Sequence, residues 1–336
     1  MNDHEWFAER IDRLRKEIGR VVVGQAGVVD RVLSCLVADG HVLLEGVPGL
    51  GKTLLVKTLS ECLGLQFRRI QFTPDLMPAD ILGTTLLEEE AGGRRHLRFQ
   101  AGPVFTQVLL ADEINRATPK TQSALLEAMQ ERQVTIHGER KPLSVPFFVL
   151  ATQNPLEMEG TYPLPEAQLD RFFYKVLVPF PSIDELADIV SRTTGVASQA
   201  VSPVLHADDL ARMRRIVREI PVDASVMRYA LRLILGTHPE LPSATPTAKR
   251  TLKWGASPRG AQTLVLGARV HALMNHQPNA SIAGVRASAL PALRHRLGRS
   301  FEAEAEGISA DEIVNRILAE VPEVEGRVAL EAGRSS

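Results

Sequence analysis

Gly46-Val47-Pro48-Gly49-Leu50-Gly51-Lys52-Thr53 satisfies the pattern GxxxxGK[ST]. Glycines there let backbone N–H groups turn onto one anion, the lysine reaches β- and γ-phosphates, and the hydroxyl meets Mg²⁺. Further on, Val108-Leu109-Leu110-Ala111-Asp112-Glu113 ends an apolar run in two carboxylates. Asp112 suits a Mg²⁺ shell, while Glu113, one residue later, points elsewhere and can polarise an attacking water. A third apolar run, Phe147 to Ala151, leads into Thr152-Gln153-Asn154-Pro155. The Asn154 amide could hold that water against the γ-phosphate, although Asn before Pro is also an ordinary turn signal. Two arginines stand apart from these runs. Ser257-Pro258-Arg259 reads as N-cap, N1 and a first-turn cation that the helix dipole disfavours unless an anion is bound. Arg171, in Leu169-Asp170-Arg171-Phe172-Phe173, either pairs with Asp170 or projects into a neighbouring subunit.

These residues need elements to hold them. Trp6, Ile11, Leu14 and Ile18, then Val28, Val29, Val32, Leu33 and Leu36, recur at helical spacing before the first strand, His41 to Leu44. The phosphate loop follows that strand and opens a helix from Lys52 to Leu63. Apolar runs at 108–111, 147–151 and 173–178 alternate with helical patterns such as Thr121 to Gln133, which predicts an α/β core with a buried, mostly parallel sheet. If its strands add outward, Arg171 falls at the opposite edge from the phosphate loop. Two hairpins interrupt the alternation. One has strands Thr84 to Leu87 and His96 to Phe99 around Ala91-Gly92-Gly93; the other runs from Val134 to His137, turns at Gly138 and returns through Leu143 to Val145.

After Pro181 the pattern turns helical, with capping signals at Ser182/Glu185, Asp223 and Ser309/Glu312 and a Pro-rich loop from Pro239 to Pro246. The expected organisation is an α/β core with N-terminal helices over residues 1–181, an all-α domain over 182–322, and a flexible tail over 323–336. Length agrees, since 336 residues suit about two domains. Lys+Arg 39 against Asp+Glu 40 gives a net charge of -1, which offers no general field for nucleic acid or an anionic membrane. Cys35 and Cys62 lack CxxC spacing and read as buried free thiols in a reducing cytoplasm. No apolar run approaches the 18 residues of a membrane span, so no membrane insertion is expected. The nine histidines show no HxxxH or HExxH spacing, and no GxSxG appears.

Taken together, these segments resemble the AAA+ ATPases and, within them, the MoxR family. GVPGLGKT is similar to the family's Walker A motif, LLADEINRA (Leu109 to Ala117) to its Walker B, and ATQNP (Ala151 to Pro155) to its sensor 1. LPEAQLDRF (Leu164 to Phe172) resembles the arginine-finger segment, GASPRGAQ (Gly255 to Gln262) the sensor 2 helix, and VVVGQ (Val21 to Gln25) the adenine-side segment. RIQFTPDLMPADILG (Arg69 to Gly83) is similar to the stretch before the helix 2 insert. The resemblance implies a P-loop NTPase core with that insert and a pre-sensor 1 hairpin, followed by an all-α lid. It implies Mg²⁺-dependent hydrolysis of ATP to ADP and phosphate. Glu113, Asn154, Arg171 and Lys52 would be catalytic, and Thr53 and Asp112 would bind the metal. The nucleotide would meet Val23, Gly24, the loop Gly46 to Thr53, Leu54 and Arg259. A homo-hexameric ring is implied, in which Arg171 acts on a neighbour's nucleotide and Arg116 could also face that site.

The work implied is that of a cytoplasmic chaperone that remodels or activates a protein client, sometimes to insert a metal or cofactor, with a partner carrying a von Willebrand factor A domain. Two other readings compete. A nucleic-acid motor of the same hairpin-bearing branch is disfavoured by the tip Gly138-Glu139-Arg140-Lys141, which has mixed charge and no aromatic stacking residue. A nucleotide-gated scaffold without turnover is disfavoured by Glu113.

Overall fold

The computed structural model describes residues 2–89, 95–155, 161–194 and 200–324. The chain divides into two compact units, one of residues 12–172 and 176–211, the other of residues 1–11, 173–175 and 212 onward. This differs from the expected boundary after residue 181. The segment from 182 to 211 stays with the phosphate-loop unit because Leu186 and Ile189 line a cavity there with Val22, Val23 and Leu50. The first turns of the N-terminal helix go the other way: Trp6 lies under the Arg212 guanidinium, 4.1 Å from the ring centroid, and Asp3 pairs with the same arginine.

α1 (Asp3–Gly19), of which only the part from Asp12 on belongs to the first unit, and α2 (Ala26–Val37) precede β1 (Val42–Glu45). α2 buries Val28, Val29, Val32, Leu33 and Leu36, the stripe that helical spacing assigns to a core. α3 (Lys52–Cys62) is followed by β2 (Phe67–Gln71), α4 (Pro78–Leu82), β3 (Gly83–Glu89), β4 (Arg95–Ala101) and β5 (Val108–Asp112). Then come α5 (Pro119–Glu131), β6 (Gln133–Ile136), β7 (Glu139–Pro142), β8 (Phe148–Gln153), α6 (Glu166–Leu169), β9 (Tyr174–Leu177) and α7 (Ile183–Thr194). Both cysteines are free and buried, and burial pushes the Cys62 thiol up to about 12.

The main sheet has the order β2-β5-β8-β1-β9. Its parallel pairs set Glu45 opposite Gln153, Ala111 opposite Ala151 and Gln71 opposite Asp112. The strand ends that carry the phosphate loop, the carboxylates and Asn154 therefore meet at one edge, where ligands of open α/β sheets collect. β2 was not anticipated. Of its five residues only Ile70 is buried, so an edge strand rich in Arg and Gln carries no apolar run.

β9 corrects the position expected for Arg171. It lies beside β1, the strand that feeds the phosphate loop, and Val178 N–H donates to Glu45 O at 2.8 Å, joining the C-terminal ends of the two strands. Arg171 is thus not across the sheet from the phosphate loop. It precedes the start of β9, and the four steps from Tyr174 to Val178 alone separate it from that edge by ~13 Å.

β3 and β4 pair from Gly83 opposite Ala101 to Glu89 opposite Arg95; the turn expected at Ala91-Gly92-Gly93 lies outside the described residues. The second hairpin returns earlier than expected, over Glu139–Pro142 rather than Leu143 to Val145. His137 (φ 50) and Gly138 (φ 84) are both left-handed, and two such residues suffice to reverse the chain.

In the second unit, α8 (Ala207–Glu219), which begins in the first, leads to α9 (Ala224–Gly236), α10 (Pro246–Thr251), β10 (Leu252–Trp254) and α11 (Pro258–Met274). α12 (Ile282–Leu293), β11 (Gly298–Arg299), α13 (Phe301–Ala305) and α14 (Ala310–Glu320) follow. α11 and α12 meet through small residues: a Cβ on Gly267 would stand 2.4 Å from Ser288 Oγ, so only glycine permits the approach. Ser309 and Glu312 form the capping box of α14, worth ~1 kcal/mol in such settings. The all-α expectation needs one correction, because β10 pairs antiparallel with β11 and the Trp254 ring fills the space that a side chain at position 298 would need. The tail expected over 323–336 lies outside the described residues from 325 on.

Candidate active site

The phosphate loop begins where β1 ends. Gly49 (φ 84) and Gly51 (φ 72) take the left-handed backbone the loop requires, and Gly51 is the N-cap of α3, which opens at Lys52. The Lys52 ammonium donates to the carbonyls of Gly46 and Val47. Partial burial lowers its pKa below the usual lysine range, opposed by the charges of Asp112, Glu113 and Glu45.

The carboxylates follow from β5, whose five residues are all buried. Asp112 Oδ2 accepts from Arg69 Nη2 at 2.7 Å and Nε at 3.1 Å, and Asp112 Oδ1 accepts from Thr152 Oγ1 at 2.6 Å. Glu113 lies one residue past the strand with φ 56, a left-handed conformation that costs an L-residue ~1–2 kcal/mol. Its N–H donates to Thr152 Oγ1 at 2.8 Å, and its Oε2 accepts from Gln71 Nε2 at 2.7 Å and Arg116 Nη1 at 2.9 Å. Arg116 therefore reaches the Glu113 of its own chain. Arg69 Nη2 also donates to Gln71 Oε1 at 2.6 Å, joining the two carboxylates through β2. Behind them, fully buried Gln122 on α5 aims its amide N–H groups at the carbonyls of Ile114, Ala117 and Tyr162, which holds the turn after Glu113 in shape.

Lys52, Thr53, Asp112, Glu113 and Asn154 line one cavity of about 260 Å³ with Pro48, Gly49, Leu50 and Gly51. Arg69 lines it too. A second cavity of about 400 Å³ shares Pro48 to Gly51 and is walled by apolar groups, among them Val23, Leu54, Phe180 and Ile189. A polar cavity beside an apolar one on the same loop fits a triphosphate joined to a flat base. Gly24, by contrast, is absent from the lining of both; it packs on Glu185, whose Cδ would stand 2.5 Å from a Cβ there. Gly46 and Val47 bound neither cavity and meet Lys52 through their carbonyls.

The donor set fits a hard divalent cation. Mg²⁺ takes hydroxyl, carboxylate and phosphate oxygens and uses one or two protein carboxylates. Thr53 and Asp112 supply one of each kind, and the Arg69 guanidinium already places positive charge against Asp112 Oδ2. Neither of the two arginines is part of that cavity's lining. Arg171 makes no ion pair among the described residues, with Asp170 or otherwise, and its Nε is buried without a hydrogen-bond partner. Arg259 sits in the first turn of α11 in the second unit, its N–H bonded to the Ser257 hydroxyl at 3.2 Å. Sequence reasoning missed Arg69, Gln71, Thr152 and Gln122. A signal existed for the first two, polar residues at i and i+2 about a buried Ile70, which share one face of a strand.

Comparison with known proteins agrees with this arrangement. Residues 41–174 match the family model "ATPase family associated with various cellular activities (AAA)", and residues 245–317 match "AAA lid domain". The chain is 42% identical over 308 residues to Chaperone MoxR1 of Mycobacterium tuberculosis, covering 92% of this chain and 81% of that one. It is 40% identical over 309 residues to the uncharacterized protein YeaC of Bacillus subtilis, covering 91% and 92% respectively. A crystal structure of a protein from Cytophaga hutchinsonii superposes with a TM-score of 0.87 at 38% identity, covering 95% of this chain and 96% of that one.

Proposed function

The chain belongs to the MoxR family of AAA+ ATPases, and from that premise we propose that it hydrolyses Mg²⁺-ATP in a homo-hexameric ring to remodel or activate a protein client. The observation that carries the chemistry is the single cavity in which Lys52, Thr53, Asp112, Glu113 and Asn154 converge on the glycine loop. Lys52 leaves the Gly46 and Val47 carbonyls for the β- and γ-phosphates, and the loop N–H groups and the α3 N-terminus receive the remaining negative charge. Thr53 and Asp112 would hold Mg²⁺, which when bound would neutralise charge developing on the phosphate oxygens. Glu113 takes the proton of the attacking water once Gln71 and Arg116 release its carboxylate, and Asn154 orients that water. Val23 and Leu54 belong to the base side of the site; Arg259 is assigned to the same subunit's phosphates and Arg171 to a neighbour's. The length of β9 between Arg171 and the phosphate-loop edge supports supply in trans.

The client reading draws support from the first hairpin. Leu87 and Leu97 stand opposite each other, 61% and 73% exposed, with Leu86 also outside. Exposed leucines paired across a hairpin suit an apolar polypeptide better than a phosphate backbone. On the second hairpin Lys141 is engaged by Glu139 and lies over the Phe99 ring, which disfavours a nucleic-acid motor. A von Willebrand factor A domain protein is the proposed partner, and activation by metal or cofactor insertion one form the work could take.

Equilibrium binding and phosphate release test the reading. Lys52→Ala should lose ATP binding, and Glu113→Gln should hold ATP without turning it over and retain client and von Willebrand partner in that state. Hydrolysis at the wild-type rate by Glu113→Gln would refute the role given to Glu113.

A further inference from the structure

We propose that Thr152 is a positioning residue for this hydrolysis, an inference that rests on the reading of Asp112 as metal ligand and Glu113 as base. Thr152 lies on β8, between the phosphate-loop strand and the carboxylate strand, and is fully buried. Its hydroxyl is shared by the two functional residues: Asp112 Oδ1 at 2.6 Å and Glu113 N–H at 2.8 Å. The direction of both bonds follows from chemistry. A backbone N–H can only donate, so Thr152 Oγ1 accepts from Glu113 and spends its one proton on Asp112.

Two consequences follow for the site. The bond to Oδ1 fixes the plane of the Asp112 carboxylate, and Oδ2, which accepts from Arg69, a residue lining the phosphate cavity, is the oxygen set on the cavity side to meet a cation. The same hydroxyl tethers the first peptide group past β5, where Glu113 adopts φ 56 and from which its side chain enters the cavity it shares with Asp112. One buried hydroxyl therefore sets which oxygen meets the metal and where the base is aimed. A valine of the same shape would do neither.

The test compares Thr152→Val, Thr152→Ser and Thr152→Ala. Mn²⁺ affinity is read by electron paramagnetic resonance with a non-hydrolysable ATP analogue, alongside analogue binding in EDTA and kcat and KM for ATP. Loss of a group that orients a metal ligand weakens metal affinity or activity by about 10–100-fold. Thr152→Val should show that loss in Mn²⁺ affinity and kcat, with metal-free analogue binding and KM within about twofold of wild type, and Thr152→Ser should recover to within about threefold. Wild-type Mn²⁺ affinity in Thr152→Val, or a Ser variant as impaired as the Val variant, would overturn the proposal. Should Thr152→Val not fold, the Ser and Ala variants decide, because both lack the methyl group and differ only in the hydroxyl; equal Mn²⁺ affinities overturn it. A wild-type protein that binds the analogue without any metal dependence overturns the reading of Asp112 itself, whereas metal dependence untouched by loss of the hydroxyl overturns only the role of Thr152.

Discussion

Replacing Arg69 by Met should tighten metal binding, the opposite sign to the effect expected at Thr152. Arg69 reaches Asp112 Oδ2 with two nitrogens, at 2.7 and 3.1 Å, and the side chains of the pair are 46% and 12% exposed. A hydrogen bond to a charged group contributes ~1.5–3 kcal/mol when well shielded. With the arginine half in solvent, screening reduces the pair to roughly 1–1.5 kcal/mol. A cation that takes Oδ2 must first break that pair, so wild-type affinity carries the whole cost. Removing the guanidinium removes it, and at ~1.4 kcal/mol per tenfold the apparent affinity should rise about 5–10-fold. In the metal-free protein the same substitution leaves Asp112 without its cation and should lower stability by ~1 kcal/mol. Mn²⁺ titration followed by electron paramagnetic resonance in the presence of ADP reads the first effect, and denaturation in EDTA the second. Turnover is the wrong readout, because Arg69 also holds Gln71 and through it Glu113. A fall in Mn²⁺ affinity, or none of the expected rise, would show that Arg69 and the metal do not compete for one oxygen.

Binding of ATP should draw in protons on the alkaline side of neutrality. Burial lowers the Lys52 pKa in the free protein, and a phosphate against the ammonium raises it again, so affinity should fall as pH rises through the depressed value. Calorimetry in two buffers of different ionisation enthalpy measures the uptake, and affinity unchanged up to about pH 10 would argue against it. An arginine supplied in trans can raise turnover by roughly 10³ to 10⁵. Arg171→Ala should therefore bind ATP and hydrolyse almost none, and mixing it with Glu113→Gln protomers should restore part of the activity. Mixed rings without recovery would be evidence against a shared site.

What the sequence determined by itself is the chemistry carried by contiguous residues. GVPGLGKT fixes its own backbone, since Gly49 and Gly51 must be left-handed and Lys52 must open the helix that follows. The apolar run at 108–111 had to be a buried strand with its acids at the C-terminal end, and the capping residues at Asp223 and Ser309 had to start helices, because each signal acts within a few residues of itself. The tertiary structure decided whatever depends on which strands are neighbours. Insertion of β8 between β1 and β5 brings Thr152 under both carboxylates, and pairing of β2 with β5 sets Arg69 and Gln71 against them, although β2 itself is too polar to announce a strand. The same pairing rules moved the strand that follows Arg171 from the far edge expected for it to a place beside the strand that feeds the phosphate loop. Strand order is chosen by the burial of whole faces and by connections that span dozens of residues, so no local spacing encodes it, and the groups it brings together are those that restrain the carboxylates of Asp112 and Glu113.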